Sequence, residues 1–213
     1  MIPIRFAIVS EVWALSPSSE SIMNSLAKFV DYKNIAAESP VRRVIPEPDQ
    51  NDNAAVLLIV VNGEPKILLG ADLEETSSPR TGWSAIVQSQ SRPQGKSQIF
   101  KIPHHGSANA HCPDVWERLL DHDAIGLLTS KVGGRADIPK NSDIKRLKDC
   151  TSNLFCTAPP LTKKLKYDQI VEKTIKGVMK KRRPLYGEMG HIQVRFNSSG
   201  VSSIGLKDPA KSL

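Results

Sequence analysis

Two apolar runs separated by a short polar turn constrain this chain more than any other stretch. Ala54–Val61 and Lys66–Gly70 flank Asn62-Gly63-Glu64-Pro65. Runs of this length, rich in Val, Ile and Leu and broken by Asn-Gly, predict a β-hairpin with a four-residue turn. Both arms are nearly continuous in apolar residues, which predicts a sheet covered on both faces. A third run, Ile99–Ile102, ends at Pro103 and is followed by His104-His105-Gly106-Ser107. Asp72 comes just after the second run. A carboxylate and an imidazole at the ends of separate strands are the kind of groups from which a sheet builds a metal site.

The rest of the chain alternates strand-like and helix-like segments. Arg5–Leu15 reads as one strand or two short ones, and Ser19 with Glu20 opens a helix that carries Ile22, Leu26 and Phe29/Val30 on one face. Asn34–Asn53 is polar, holds Pro40, Pro46 and Pro48, and is expected to form a loop. A short helix is predicted around Trp83–Val87, another from Pro113, and a third from Asn141 or Ser142 through Leu147. Ala124–Thr129 and Asn153–Thr157 read as strands. Thr162–Lys181 reads as an amphipathic helix, His191–Phe196 and Val201–Leu206 as a closing hairpin, and residues 207–213 as a frayed tail. The fold class is α/β, with one domain over residues 1–206.

Charge is concentrated in one place. The net charge is +7, and Lys163–Arg183 holds nine Lys and Arg against Asp168 and Glu172, so the remainder balances. The Lys180-Lys181-Arg182-Arg183 run is the candidate nucleic-acid contact, although a charge run is more often a solvated helix face. No aromatic residues alternate with these basic ones, unlike in single-strand binders. Three cysteines without a C-x-x-C, and an N-terminus without a signal-type apolar core, lead to the expectation of a reducing cytoplasm. No run is long enough to span a bilayer, so no membrane association is expected.

Taken singly, Asp72 reads first as a helix N-cap ahead of Leu73-Glu74-Glu75, and an isolated His-His pair is more often structural than ligating. His111, His122 and His191 sit in separate polar contexts. Together, NDNAAVLLIVVNGEPKILLGADLEE and IFKIPHHGSANA resemble the second half of a metallo-β-lactamase-fold hydrolase, and in particular the C-terminal domain of bacterial competence DNA-uptake proteins and its stand-alone relatives. The resemblance covers roughly residues 5–206. It implies the C-terminal half of an αββα sandwich and metal-dependent phosphodiester hydrolysis of a nuclease-like kind. Two zinc ions would activate a water, Asp72 would bridge them, and the His104-His105 turn would add a ligand, with His105 favoured and His104 behind it. Gly70-Ala71-Asp72 departs from the family's Thr-Gly-Asp in the residue before the aspartate. The family's His-x-His-x-Asp-His string does not occur. The resemblance therefore implies a chain that binds zinc weakly or not at all and is inactive alone: a truncated product, one subunit of a split enzyme with a complementary chain carrying the missing half as partner, or a relic. The alternative is a non-catalytic module that binds nucleic acid or protein through the basic helix 162–183.

Overall fold

The computed structural model describes residues 9–38, 50–76, 78–131, 138–158, 168–179, 190–197 and 200–213. They form a mixed α/β fold: a seven-stranded sheet in the order β1-β2-β3-β4-β5-β6-β9, and a separate hairpin, β7-β8. The strands are β1 (Ser10–Ala14), β2 (Leu57–Val61), β3 (Glu64–Leu69), β4 (Ser97–Lys101), β5 (Leu120–Leu128), β6 (Leu154–Cys156), β7 (His191–Asn197), β8 (Gly200–Lys207) and β9 (Lys211–Ser212). The helices are α1 (Ser19–Glu38), α2 (Gly82–Gln88), α3 (Pro113–Arg118), α4 (Asn141–Cys150) and α5 (Gln169–Val178).

The β2–β3 connection is tighter than the sequence suggests. Asn62 and Gly63 both take positive φ, 52° and 82°, which is the two-residue turn whose twist matches the flanking strands. Glu64 and Pro65 belong to β3, and the register shifts at Ile59/Val60 so that Pro65 sits at an irregularity where its missing N–H costs no ladder bond.

Strands β3 to β6 run parallel and lie side by side in chain order. Each step is a crossover through one helix, and right-handed crossovers advancing in one direction place α2, α3 and α4 on the same face. One core results: Trp83, Ile86 and Val87 of α2, Val115 and Leu119 at α3, and Leu147 of α4 cluster with Leu58, Val60, Leu68, Phe100, Ile102, Leu128, Leu154 and Cys156.

The opposite face carries two cross-strand rows. One runs Val12, Ile59, Ile67, Ile99, Ile125; the other runs Leu57, Leu69, Lys101, Leu127, Phe155. Ile99 and Ile125 are buried, while Leu57, Leu69, Leu127 and Phe155 are only half-buried. Burial in β2 alternates accordingly, so the expectation of full cover on both faces of the hairpin is not met. Nor do its arms form the most exposed apolar surface. That lies on β1, α1 and α5.

Two further expectations are corrected. Residues 34–38, read as loop, continue α1, and the tail read as frayed holds β9, paired with β6, with Ala210 buried and the Leu213 N–H donating to the Leu154 carbonyl at 2.9 Å. Among the described residues no helix is long and apolar enough to cross a membrane.

Candidate functional site

The carboxyl ends of parallel strands are where open α/β sheets place their ligands, because the following loops gather there. Here that rim collects Asp72 after β3, Lys101, His104 and His105 at and after β4, and Thr129 after β5. Two backbone bonds lock the first two loops together: the Gly70 N–H donates to the Lys101 carbonyl at 3.0 Å, and the His104 N–H to the Ala71 carbonyl at 3.0 Å. A Cβ on Gly70 would stand 2.8 Å from that Lys101 oxygen, so the close approach needs glycine. Ala71 takes the left-handed φ of 47°, a conformation that strains a residue with a Cβ.

Asp72 is exposed, and no helix begins after it, so it is not an N-cap. His104 and His105 do not alternate like strand residues. Both have positive φ, 41° and 54°, inside a tight 3-10 turn that brings their rings to a 6.3 Å centroid separation. His105 Nδ1 lies 3.0 Å from the Thr129 carbonyl and 3.1 Å from its hydroxyl. A carbonyl only accepts, so Nδ1 carries the proton, and the neutral ring keeps its lone pair at Nε2. His104 Nδ1 stands 2.7 Å from Glu74 Oε1, out of line for a hydrogen bond, and Glu74 Oε1 also accepts from Asn51 Nδ2 at 2.8 Å. The Thr129 carbonyl therefore orients the His105 ring as a hydrogen-bonded imidazole is oriented toward a ligand, whereas His104 only lies beside the Glu74 carboxylate without a hydrogen bond to it.

The turn is braced from behind. Arg146 of α4 donates through Nη2 to the Gly106 carbonyl at 2.7 Å and through Nη1 to Asp143 Oδ1 at 2.9 Å. Gly106, at φ 77°, lies where a Cβ would meet Leu128 and Leu147 at 2.8 and 3.0 Å.

Burial pushes the His105 pKa down, with Lys101 and Lys131 adding to the drop, while the Thr129 carbonyl and the Asp72 carboxylate pull it back up. Lys101, half-buried, is also lowered, first by burial, with Asp72 opposing. Its Nζ donates to the Ile102 carbonyl at 3.0 Å. Sequence reasoning missed Lys101, Glu74, Thr129 and Arg146. Glu74 was visible beside Asp72 but was absorbed into an expected helical turn. The other three carry no local signal.

His111 is lowered too, by burial and by Arg146. A histidine whose folded pKa lies below its unfolded value near 6.5 binds fewer protons folded than unfolded. Its effect on stability is nil above that value and becomes a growing penalty as pH falls through it. The expected result is a melting temperature that is level from pH 8 to 7 and drops toward pH 5. His111→Gln should flatten the slope. A melting temperature that rises toward pH 5 would contradict this.

The zinc pair that the resemblance implies needs more donors than this rim offers. Among the described residues no group of three or more His, Cys, Asp or Glu is placed to hold a metal ion. Asp72 and the two histidines fall short of the four donors of a zinc site, so this rim alone does not fit that group. The basic cluster Lys180-Lys181-Arg182-Arg183 lies outside the described residues. Of the basic helix, α5 is described, with Lys173 and Lys176 exposed and Asp168 capping its start through bonds from the N–H groups of Ile170 and Val171.

Fold and rim together define a mixed α/β domain with a polar, histidine-bearing cluster at the carboxyl ends of adjacent parallel strands. Compared with protein-family models, curated proteins and solved structures, the chain finds no match.

Proposed function

We propose that this chain is the second half of a metallo-β-lactamase-fold hydrolase of phosphodiester substrates, inactive by itself. The observation that carries the reading is the meeting of the Gly70-Ala71-Asp72 turn with the His104-His105 turn on neighbouring parallel strands, fastened by the bond from His104 N–H to the Ala71 carbonyl. Further support comes from the sheet, which has α2, α3 and α4 on one face and half-buried apolar rows on the other, where a sandwich would set its second sheet. In this reading Asp72 and His105 are the chain's share of the ligands, and a complementary chain with the His-x-His-x-Asp-His string brings the rest. A second reading, a non-catalytic binding module, is favoured by α5, where Ile170, Val171, Val178 and Met179 are 51–79 % exposed. That surface suits a protein partner better than nucleic acid.

Zinc analysis of the purified chain after dialysis, with a generic phosphodiester assay, tests the main reading. Each absent ligand removes affinity along with geometry, so zinc well below one equivalent and no turnover are expected. Co-expression with a chain carrying the missing string should then restore both, in a manner lost on Asp72→Asn. Tightly held stoichiometric zinc with turnover by the single chain would overturn it.

A further inference from the structure

Helix α1 is docked the wrong way round for a surface helix. Among its described side chains, the ties to the body are polar: Ser21 is buried, Ser25 Oγ accepts from Asn53 Nδ2, and Glu20 pairs with Arg80 at 2.7 Å. The Ser18 hydroxyl caps its start by accepting from the Ser21 N–H at 3.1 Å. The apolar stripe points outward instead. Ile22, Met23, Leu26, Phe29 and Val30 are 44, 64, 54, 54 and 57 % exposed. An amphipathic helix normally buries this stripe and wets the serines.

The geometry points to a second copy of this chain as what covers α1, through an antiparallel, two-fold pairing of one α1 with its counterpart centred on Leu26. At 100° per residue Leu26 lies mid-stripe, and the other four positions are placed symmetrically about it. A two-fold therefore brings Ile22 against Val30, Met23 against Phe29 and Leu26 against itself, the self-complementarity an isologous contact requires. Lys28 comes opposite Asn24 and Lys33 opposite Ser19, so none of these pairs sets like charges together. Five large side chains left about half uncovered amount to roughly 500 Å² of apolar surface per copy. With its polar flanks, such a pairing reaches about 1,200 Å² in total, the lower end for a specific interface. The pairing uses α1 alone and does not depend on the hydrolase reading.

Light scattering after size exclusion should show the full chain moving from its 23.4 kDa monomer toward twice that mass as concentration rises through the micromolar range. Leu26→Glu should abolish the shift while leaving the melting temperature close to the parent's when both are measured too dilute to pair, since the side chain is 54 % exposed. Cross-linking then fixes the geometry. Helices 8–10 Å apart bring axis-facing Cα atoms within disulfide range. On oxidation, Leu26→Cys should form a covalent dimer, Ile22→Cys alone should not, and Ile22→Cys mixed with Val30→Cys should. A monomer at 100 μM, association untouched by Leu26→Glu, or cross-linking of Ile22→Cys to itself would each overturn the proposal.

Discussion

Arg146→Ala should destabilise the chain by about 2–4 kcal/mol and loosen the histidine turn. Breaking a buried ion pair by removing one partner costs roughly 3–5 kcal/mol, because the other charge is stranded. Asp143 is 4 % exposed and holds the start of α4 by accepting from the Lys140 N–H at 2.9 Å. The Arg146 side chain is 25 % exposed, so water can replace part of what it supplies and the estimate drops. The Gly106 carbonyl loses its 2.7 Å donor as well. Urea unfolding at constant slope measures the change. Asp143→Asn in the Arg146→Ala background should recover part of the loss by removing the stranded charge. A loss under 0.5 kcal/mol would show that the brace contributes little.

Trp83→Ala should cost about 3–5 kcal/mol, the range for deleting a large aromatic from a core. Trp83 has no exposed surface, its Nε1 donates to the Leu73 carbonyl at 3.0 Å, and its ring meets Phe100 edge-on at 5.9 Å. Phe100 in turn meets Trp116 edge-on at 5.3 Å, so the hole opens within a chain of three rings. Domains of this size carry about 5–15 kcal/mol in all, so the variant should melt far lower or fail to fold. Trp83→Phe keeps most of the volume but strands the Leu73 carbonyl, and should lose about half as much. An Ala variant within 1 kcal/mol of the parent would mean that α2 is not part of the cooperative core.

What the sequence showed of this fold was what short-range pattern can carry. The apolar runs at 54–61 and 66–70 and the run ending at Pro103 gave the central strands, and Pro113 gave the start of α3. The hairpin turn was read too long because Pro65 usually ends a strand, whereas a bulge lets it stay. For α1 the periodicity named the stripe correctly but not its direction, since a repeat of 3.6 says which residues share a face and nothing of what lies opposite. β9 spans two residues, Lys211 and Ser212. Such a pair has no signature apart from the β6 edge that it meets. At the site, Asp72 and the two histidines stood out by type and position. Their supports did not, because Thr129 is 24 residues from His105 and Arg146 is 40 from Gly106.

The order of the large sheet bears on how the chain is made. From β1 to β6 the spatial sequence of strands is the chain's own sequence. Each strand leaving a ribosome therefore finds its neighbour already in place, and the helix just synthesised lies ready to cover the face between them. No step up to β6 waits for a distant segment. The open edge moves along with synthesis, always on the newest strand, until β6 is reached. That edge then stays open while some fifty residues pass before β9 pairs with it.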